Sequence, residues 1–272
     1  MQFSDFLYEW KHELVHTSSR YFMVAGAIFF LFYLVFRKFM LGRKIQASFP
    51  KLKDYRRDIF YSAISMCIFA TIGMLTFTVL EPYTNIYHDI NQYGKPYFYF
   101  TFIWMFFLHD AYFYWSHRFM HLPKVYKHVH LIHHKSTNPS PWTAYAFHPL
   151  EAVVEAMIIM VIAFTLPVHH KALTYYFLFQ IIYNVYGHLG FEIFPAGMSR
   201  NWLGKWLNTS VAHNMHHKYF VKNYGLWTTI WDRAMGTMHP KYEELYERTT
   251  SANNTEQAPV SLTENIPQEI AN

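Results

Sequence analysis

Eight histidines in three boxes constrain this chain more than any other feature: His117-x-x-x-His121, His130-x-x-His133-His134 and, far downstream, His213-x-x-His216-His217. Residues three and four apart share a helix face, so each box can aim its imidazoles at one point. The chain has 18 histidines in 272 residues. At that frequency about 0.1 copy of HxxHH is expected per chain, so two copies are not an accident of composition. Imidazole is the commonest side-chain metal ligand, and a single cysteine argues against a cysteine-based structural zinc site. The boxes therefore predict metal ligation, most simply of a metal pair. Surface scatter accounts for His12, His16, His88, His169, His170 and His239, which lie outside the boxes.

Composition places those ligands beside a membrane. The chain is 52% hydrophobic and 15% charged, against a charged share of about 25% in soluble domains. Five apolar stretches, at about 21–40, 59–80, 97–115, 150–166 and 172–194, approach the roughly 17–25 residues that cross hydrocarbon. The expected fold is an all-α integral membrane protein with four to five transmembrane helices, the last two either spanning or forming a short hairpin. A cytoplasmic, histidine-rich helical di-metal domain caps them. The expected organisation is a polar segment 1–20, a first transmembrane hairpin with a basic loop 21–96, a histidine-box catalytic domain with the remaining membrane helices 97–242, and a disordered tail 243–272.

Asp5, Glu9, Lys11, Glu13 and Arg20 break any apolar run in the first 20 residues, so no cleavable signal peptide is expected there. Cys67 stands alone and excludes an intrachain disulfide. Much of the net charge of +5 comes from Arg37, Lys38, Arg43, Lys44, Lys51, Lys53, Arg56 and Arg57, all between the first two stretches. Basic residues there orient membrane spans rather than bind nucleic acid, and the positive-inside rule makes this connection cytoplasmic. Counting crossings from it brings all three boxes to the same face.

Helical phase adds candidates. Asp110, Tyr114, His117 and His121 form one polar stripe, and Asp110 is placed to orient a ligating imidazole through its second nitrogen; His109 lies off the stripe and is expected to pack. Gln180, Asn184, His188 and Glu192 recur every four residues in the fifth stretch, where polar groups are costly. His188 is read as a ninth ligand and Asn184 as a weak or water-bridged one. Pro149 and Glu151 suit the first turn of a helix. His148 and Glu155 either support a ligand or line a substrate pocket. Asn223-Tyr224-Gly225 reads as a turn, Trp227 and Trp231 as an aromatic lid, and Asp232 as a hydrogen-bond partner of a ligand.

These segments resemble the fatty acid hydroxylase and sterol desaturase superfamily. HDAYFYWSHRFMH is similar to its first box, VYKHVHLIHHKS and the later AFHPLE to its second, and NVYGHLGFE to its penultimate ligand segment. VAHNMHHKYFVKNYGLWTTIWDRAMGT resembles the third box and tail of sterol C-5 desaturases and their bacterial relatives. Some hydroxylases of the superfamily have a second histidine where this chain has Asn184. The resemblance implies a catalytic centre of two iron ions, replaceable by zinc in a purified sample, held by His117, His121, His130, His133, His134, His188, His213, His216 and His217. It implies an O2-dependent hydroxylase or desaturase of a sterol-like, sphingoid or fatty acyl lipid, in a bacterial inner membrane or endoplasmic reticulum. No dinucleotide fingerprint or iron–sulfur cysteine set is present, so electrons are expected from a separate donor of cytochrome b5 or ferredoxin type. A membrane metal transporter and an inactive lipid-binding homologue are the alternative readings.

Overall fold

A computed structural model describes residues 3–251. The first helix, α1 (Phe3–Phe29), has Asp5 in its first turn, where the helix dipole favours an acid. The polar segment expected at 1–20 is therefore no separate unit: the same helix runs through it into the first apolar stretch. A short α2 (Arg37–Met40) follows, and then α3 (Leu52–Met74), whose start is fixed by the Lys51 backbone N–H donating to Asp54 Oδ2 at 3.0 Å. Two helical runs, Ser4–Val35 and Leu52–Val79, are long and apolar enough to cross a membrane by length and composition; among the described residues no others are.

The 27-residue α4 (Gly94–Met120) carries the first box at its end. The second box follows α5 (Pro123–Val129), with His130 at the junction and His133 and His134 on α6 (Leu131–His134). The fourth apolar stretch is two eight-residue helices, α7 (Pro149–Ala156) and α8 (Ile158–Thr165), joined at Met157. It returns through Leu166–His169 into α9 (His170–Gly187), so the last two stretches form a hairpin. Two-residue strands β1 (Ile86–Tyr87) and β2 (Val168–His169) pair in parallel and tie the ends of the helices opposite the boxes.

The third box lies on α10 (Ser210–Tyr219), capped by Thr209 Oγ1 accepting from Ala212 N at 3.1 Å; α11 (Ile230–Ala234) follows. The tail expected to be disordered from Glu243 instead opens with α12 (Tyr242–Thr250), which buries Tyr242, Leu245 and Tyr246 against Val211 and Met215 of α10. Those side chains recur at i, i+3 and i+4, an amphipathic stripe inside a polar sequence. The rest of that tail, 252–272, lies outside the described residues.

Packing explains why the boxes share one end of the molecule. α1 lies along α3 and α9, and Tyr21, Met66, Tyr145, Phe147, Ala152 and Val185 join them with α7 into one core. The basic connection lies against the boxes: Gln46 Nε2 donates to Thr137 O and to Asn214 Oδ1, and Asn138 Nδ2 donates to Ser48 O. Met23, Leu34, Phe60, Ile103, Phe107 and Ile182 are exposed on the outside of the helical stem. So many exposed large apolar side chains mark a surface made for an apolar surrounding.

Candidate metal centre

The nine expected histidines come together in two groups. His117, His121, His130, His134 and His216 form one, and His133, His188, His213 and His217 the other; within each group the ligand atoms lie within 4.8 Å of one another. The groups abut, with the rings of His134 and His217 4.9 Å apart and those of His130 and His133 5.4 Å apart. Helical geometry explains the sorting. In each HxxHH box the first and last histidines, four apart, face one group, while the middle one, turned about 100° from the last, faces the other. The second box thus gives His130 and His134 to the five-membered group and His133 to the four-membered one. The third box does the converse, giving His213 and His217 to the four-membered group and His216 to the five-membered one.

The donor chemistry fits a cation. His117 Nδ1 donates to Tyr224 O at 2.9 Å and His130 Nδ1 donates to Glu151 Oε1 at 2.7 Å. Each ring has its proton committed at Nδ1, so each Nε2 carries a bare lone pair, yet these two Nε2 atoms are 3.0 Å apart. The four-membered group repeats this: His188 Nδ1 donates to Asn184 O at 2.8 Å, and its Nε2 lies 2.9 Å from His213 Nε2 and 3.3 Å from His133 Nε2. Facing lone pairs repel in a buried site unless a positive ion lies among them.

Burial has a second consequence. It holds the His117 imidazole down to about 4 and holds His121, His130, His133, His134, His213, His216 and His217 well below the usual histidine value. The box imidazoles are therefore neutral near pH 7, as ligation requires. In metal-free protein the unfolded histidines take up protons near pH 6.5, while His117 resists until about 4 and burial likewise keeps the other box histidines neutral well below the usual value. Stability should be unaffected above about pH 6.5 and fall progressively below it. Thermal unfolding of metal-free protein between pH 7.5 and 5 checks this, and a flat profile would contradict the neutral-box reading.

Supporting residues differ from the sequence expectation. By sequence Glu151 suits only a helix start, yet it lies buried under His130. The contact joins residues 21 apart across two elements, so no local pattern reports it. Asp58, also not anticipated, accepts from Ser136 Oγ at 2.7 Å and Thr143 Oγ1 at 2.7 Å and pins the loop after the second box to α3. Asp110 touches no imidazole. It accepts from Trp227 N, Thr228 N and Thr228 Oγ1 at 2.9, 3.0 and 2.5 Å, fixing the aromatic segment over α4. His148 Nδ1 accepts from Leu150 N at 3.2 Å, a helix cap. The Asn184 side chain donates to Ala144 O at 3.2 Å, and it is the Asn184 backbone carbonyl that meets His188.

Asp232 acts through a loop. It accepts from Tyr224 N and Gly225 N at 2.9 and 2.8 Å, and burial pushes its carboxyl up to about 6. This holds the Tyr224 carbonyl against His117. A Cβ at Gly225 would collide with the Thr228 carbonyl oxygen, so only glycine fits. Just upstream, Phe220, Lys222 and Asn223 all have positive φ (64°, 66° and 52°), a backbone that side chains resist. The turn they make brings Lys222 O to 2.7 Å from His216 Nδ1, which donates to it.

A family model described as fatty acid hydroxylase matches residues 102–237, half of the chain, and that range includes all nine histidines. The Delta(7)-sterol 5(6)-desaturase of Leptosphaeria maculans is 35% identical over 139 residues, 51% of this chain and 37% of the relative. A protein of the same name in Aspergillus fumigatus is 33% identical over 175 residues (64% and 47%), and that of Saccharomyces cerevisiae 31% over 173 residues (63% and 44%). The chain spans about half the length, or less, of these relatives. No solved structure matches.

Proposed function

The chain belongs to the fatty acid hydroxylase family, and from that premise we propose that it is a multi-pass membrane oxidoreductase that desaturates or hydroxylates a lipid. The observation that carries the reading is the pairing of two adjoining, buried imidazole groups whose lone pairs face one another. The groups would hold two iron ions, on the cytoplasmic side by the charge of the 37–57 connection. Iron bound there would supply O2 activation and hydrogen abstraction from an unactivated C–H bond. Desaturation consumes the lipid, O2, two electrons and two protons and gives the alkene and two waters; hydroxylation gives the alcohol and one water. A separate donor of cytochrome b5 or ferredoxin type supplies the electrons.

The chain's own residues orient and enclose. Glu151, Tyr224 O, Lys222 O and Asn184 O fix four rings in the tautomer that presents Nε2. The Phe147 ring lies 5.1 Å from that of His133 and forms the apolar wall between the imidazoles and the interior of the stem. The relatives' names favour a sterol-like lipid. Comparative lipidomics of cells with and without the protein, with and without O2, tests the proposal. The expected result is one lipid class that gains an oxygen or loses two hydrogens only when both protein and O2 are present; no such class would refute it.

A further inference from the structure

A cavity of about 360 Å³ lies among α1, α3, α7, α8 and α9. This volume is within the range of small-molecule sites. One end is lined by Phe147, the residue against His133, and the other by Glu81, His88 and His170. Gln180 and His170, on its α9 wall, are ten residues apart, a helical rise of about 15 Å. Phe69, Phe77, Ile158, Leu173 and Phe177 make the middle apolar.

Polar groups interrupt this lining, and two of them, Glu155 and Gln180, lie on helices that lead to the metal centre. Glu155 lies one helical turn beyond Glu151, the residue that accepts from His130, and so about 6 Å further from the imidazoles. It lines the cavity, and among the described residues no group hydrogen-bonds its carboxylate. Gln180, two turns before His188, accepts from the Tyr145 hydroxyl through Oε1, which leaves its amide N–H groups uncommitted. A carboxyl group left without a hydrogen-bond partner beside an apolar cavity is costly in either protonation state and calls for a partner.

We propose that this cavity binds an amphiphilic lipid by its hydroxyl group, which donates to Glu155 and accepts from Gln180, with the apolar remainder running toward His88 and His170. The hydroxyl is the head group that satisfies both partners at once, being donor and acceptor together. A carboxylate or phosphate head would meet the acidic side chains Glu13 and Glu155 with the Arg20 guanidinium as the one permanently charged counterpart on the wall, Glu81 being taken up by His88 at 2.6 Å. The arrangement also sets regiochemistry. A head anchored about one turn below the histidines places the oxidised C–H within a few bonds of the hydroxyl rather than far down the tail. This rests on the lipid-oxidising reading and adds to it the head-group chemistry and the direction of the lipid.

Binding to zinc-loaded protein in lipid nanodiscs tests it without turnover. The probes are 5α-cholest-7-en-3β-ol, its 3-methyl ether, which cannot donate, and stearic acid. The expected result is that the native protein binds the alcohol about 10- to 100-fold more tightly than the ether, since a site built to hydrogen-bond a hydroxyl rejects analogues lacking it. Glu155→Leu should bind alcohol and ether alike, and Glu155→Gln, which keeps an acceptor, should retain part of the preference. Thr174 also lines the cavity, next to Leu173, and Thr174→Trp, which adds bulk there, should weaken both sterols equally. Equal binding of alcohol and ether by the native protein, a preference that survives Glu155→Leu, tighter binding of stearic acid than of the alcohol, or no sterol binding at all would overturn the proposal. O2-dependent lipid change in cells would then still stand as a separate result. Hydroxyl-selective binding with no such change would instead refute the oxidase reading and leave the binding site in place.

Discussion

His216→Ala should reduce the metal content of the purified protein from about two ions per chain to about one, and His188→Gln should do the same by emptying the other site. The two residues belong to different groups, and each removes one imidazole from a shell of five or four. Lipid oxidation should fall to background in both variants, because the proposed chemistry uses the pair. Elemental analysis of each variant, with circular dichroism to verify the fold, measures this directly. His188 also separates ligation from packing: a ligand matters when metal is present, so the metal-free form of His188→Gln should unfold close to the metal-free parent. Two ions retained in either variant would remove that residue from the ligand set, and loss of both ions would merge the two groups into one site.

The second large effect is expected at Glu151. Its carboxylate accepts the Nδ1 proton of His130 at 2.7 Å inside the protein, and so fixes the tautomer in which Nε2 faces the other imidazoles. Glu151→Gln can keep the acceptor but loses the charge, and metal affinity of the five-histidine group should fall roughly 10- to 100-fold. Glu151→Leu should weaken it further and also cost about 1–3 kcal/mol of stability, because it leaves a buried N–H without a partner. Competition with a chromophoric chelator gives the affinities. Unchanged affinity in both variants would reduce Glu151 to the helix-start role that its position alone suggests.

Much of the centre was legible in the sequence because its histidines obey helical spacing. The boxes and His188 declare themselves by steps of three and four, and the structure gathers all nine. What surrounds them was not legible, because it depends on contacts between elements. Asp110 sits in phase with His117, but phase along one helix cannot show that the Trp227–Thr228 backbone reaches the carboxylate first. Asp58, just before the second apolar stretch, and Glu151, inside the fourth, have partners that only tertiary packing reveals. The carbonyls of Lys222 and Tyr224 leave no trace in side-chain chemistry at all. The α12 helix was hidden for the opposite reason: its composition is that of a tail, and its apolar stripe is three residues wide.

The crossed allocation of the two HxxHH boxes has a consequence for how the chain tolerates change. Each of these boxes serves both groups, His133 and His134 parting in one and His216 and His217 in the other. A point substitution can therefore remove an imidazole from one group, but a one-residue insertion or deletion just before either box would rotate that helix by about 100° and misdirect imidazoles of both. The pair is consequently a single heritable unit. Neither group could be removed or moved to another scaffold alone by a local length change, so such changes should be tolerated only in connections away from the boxes.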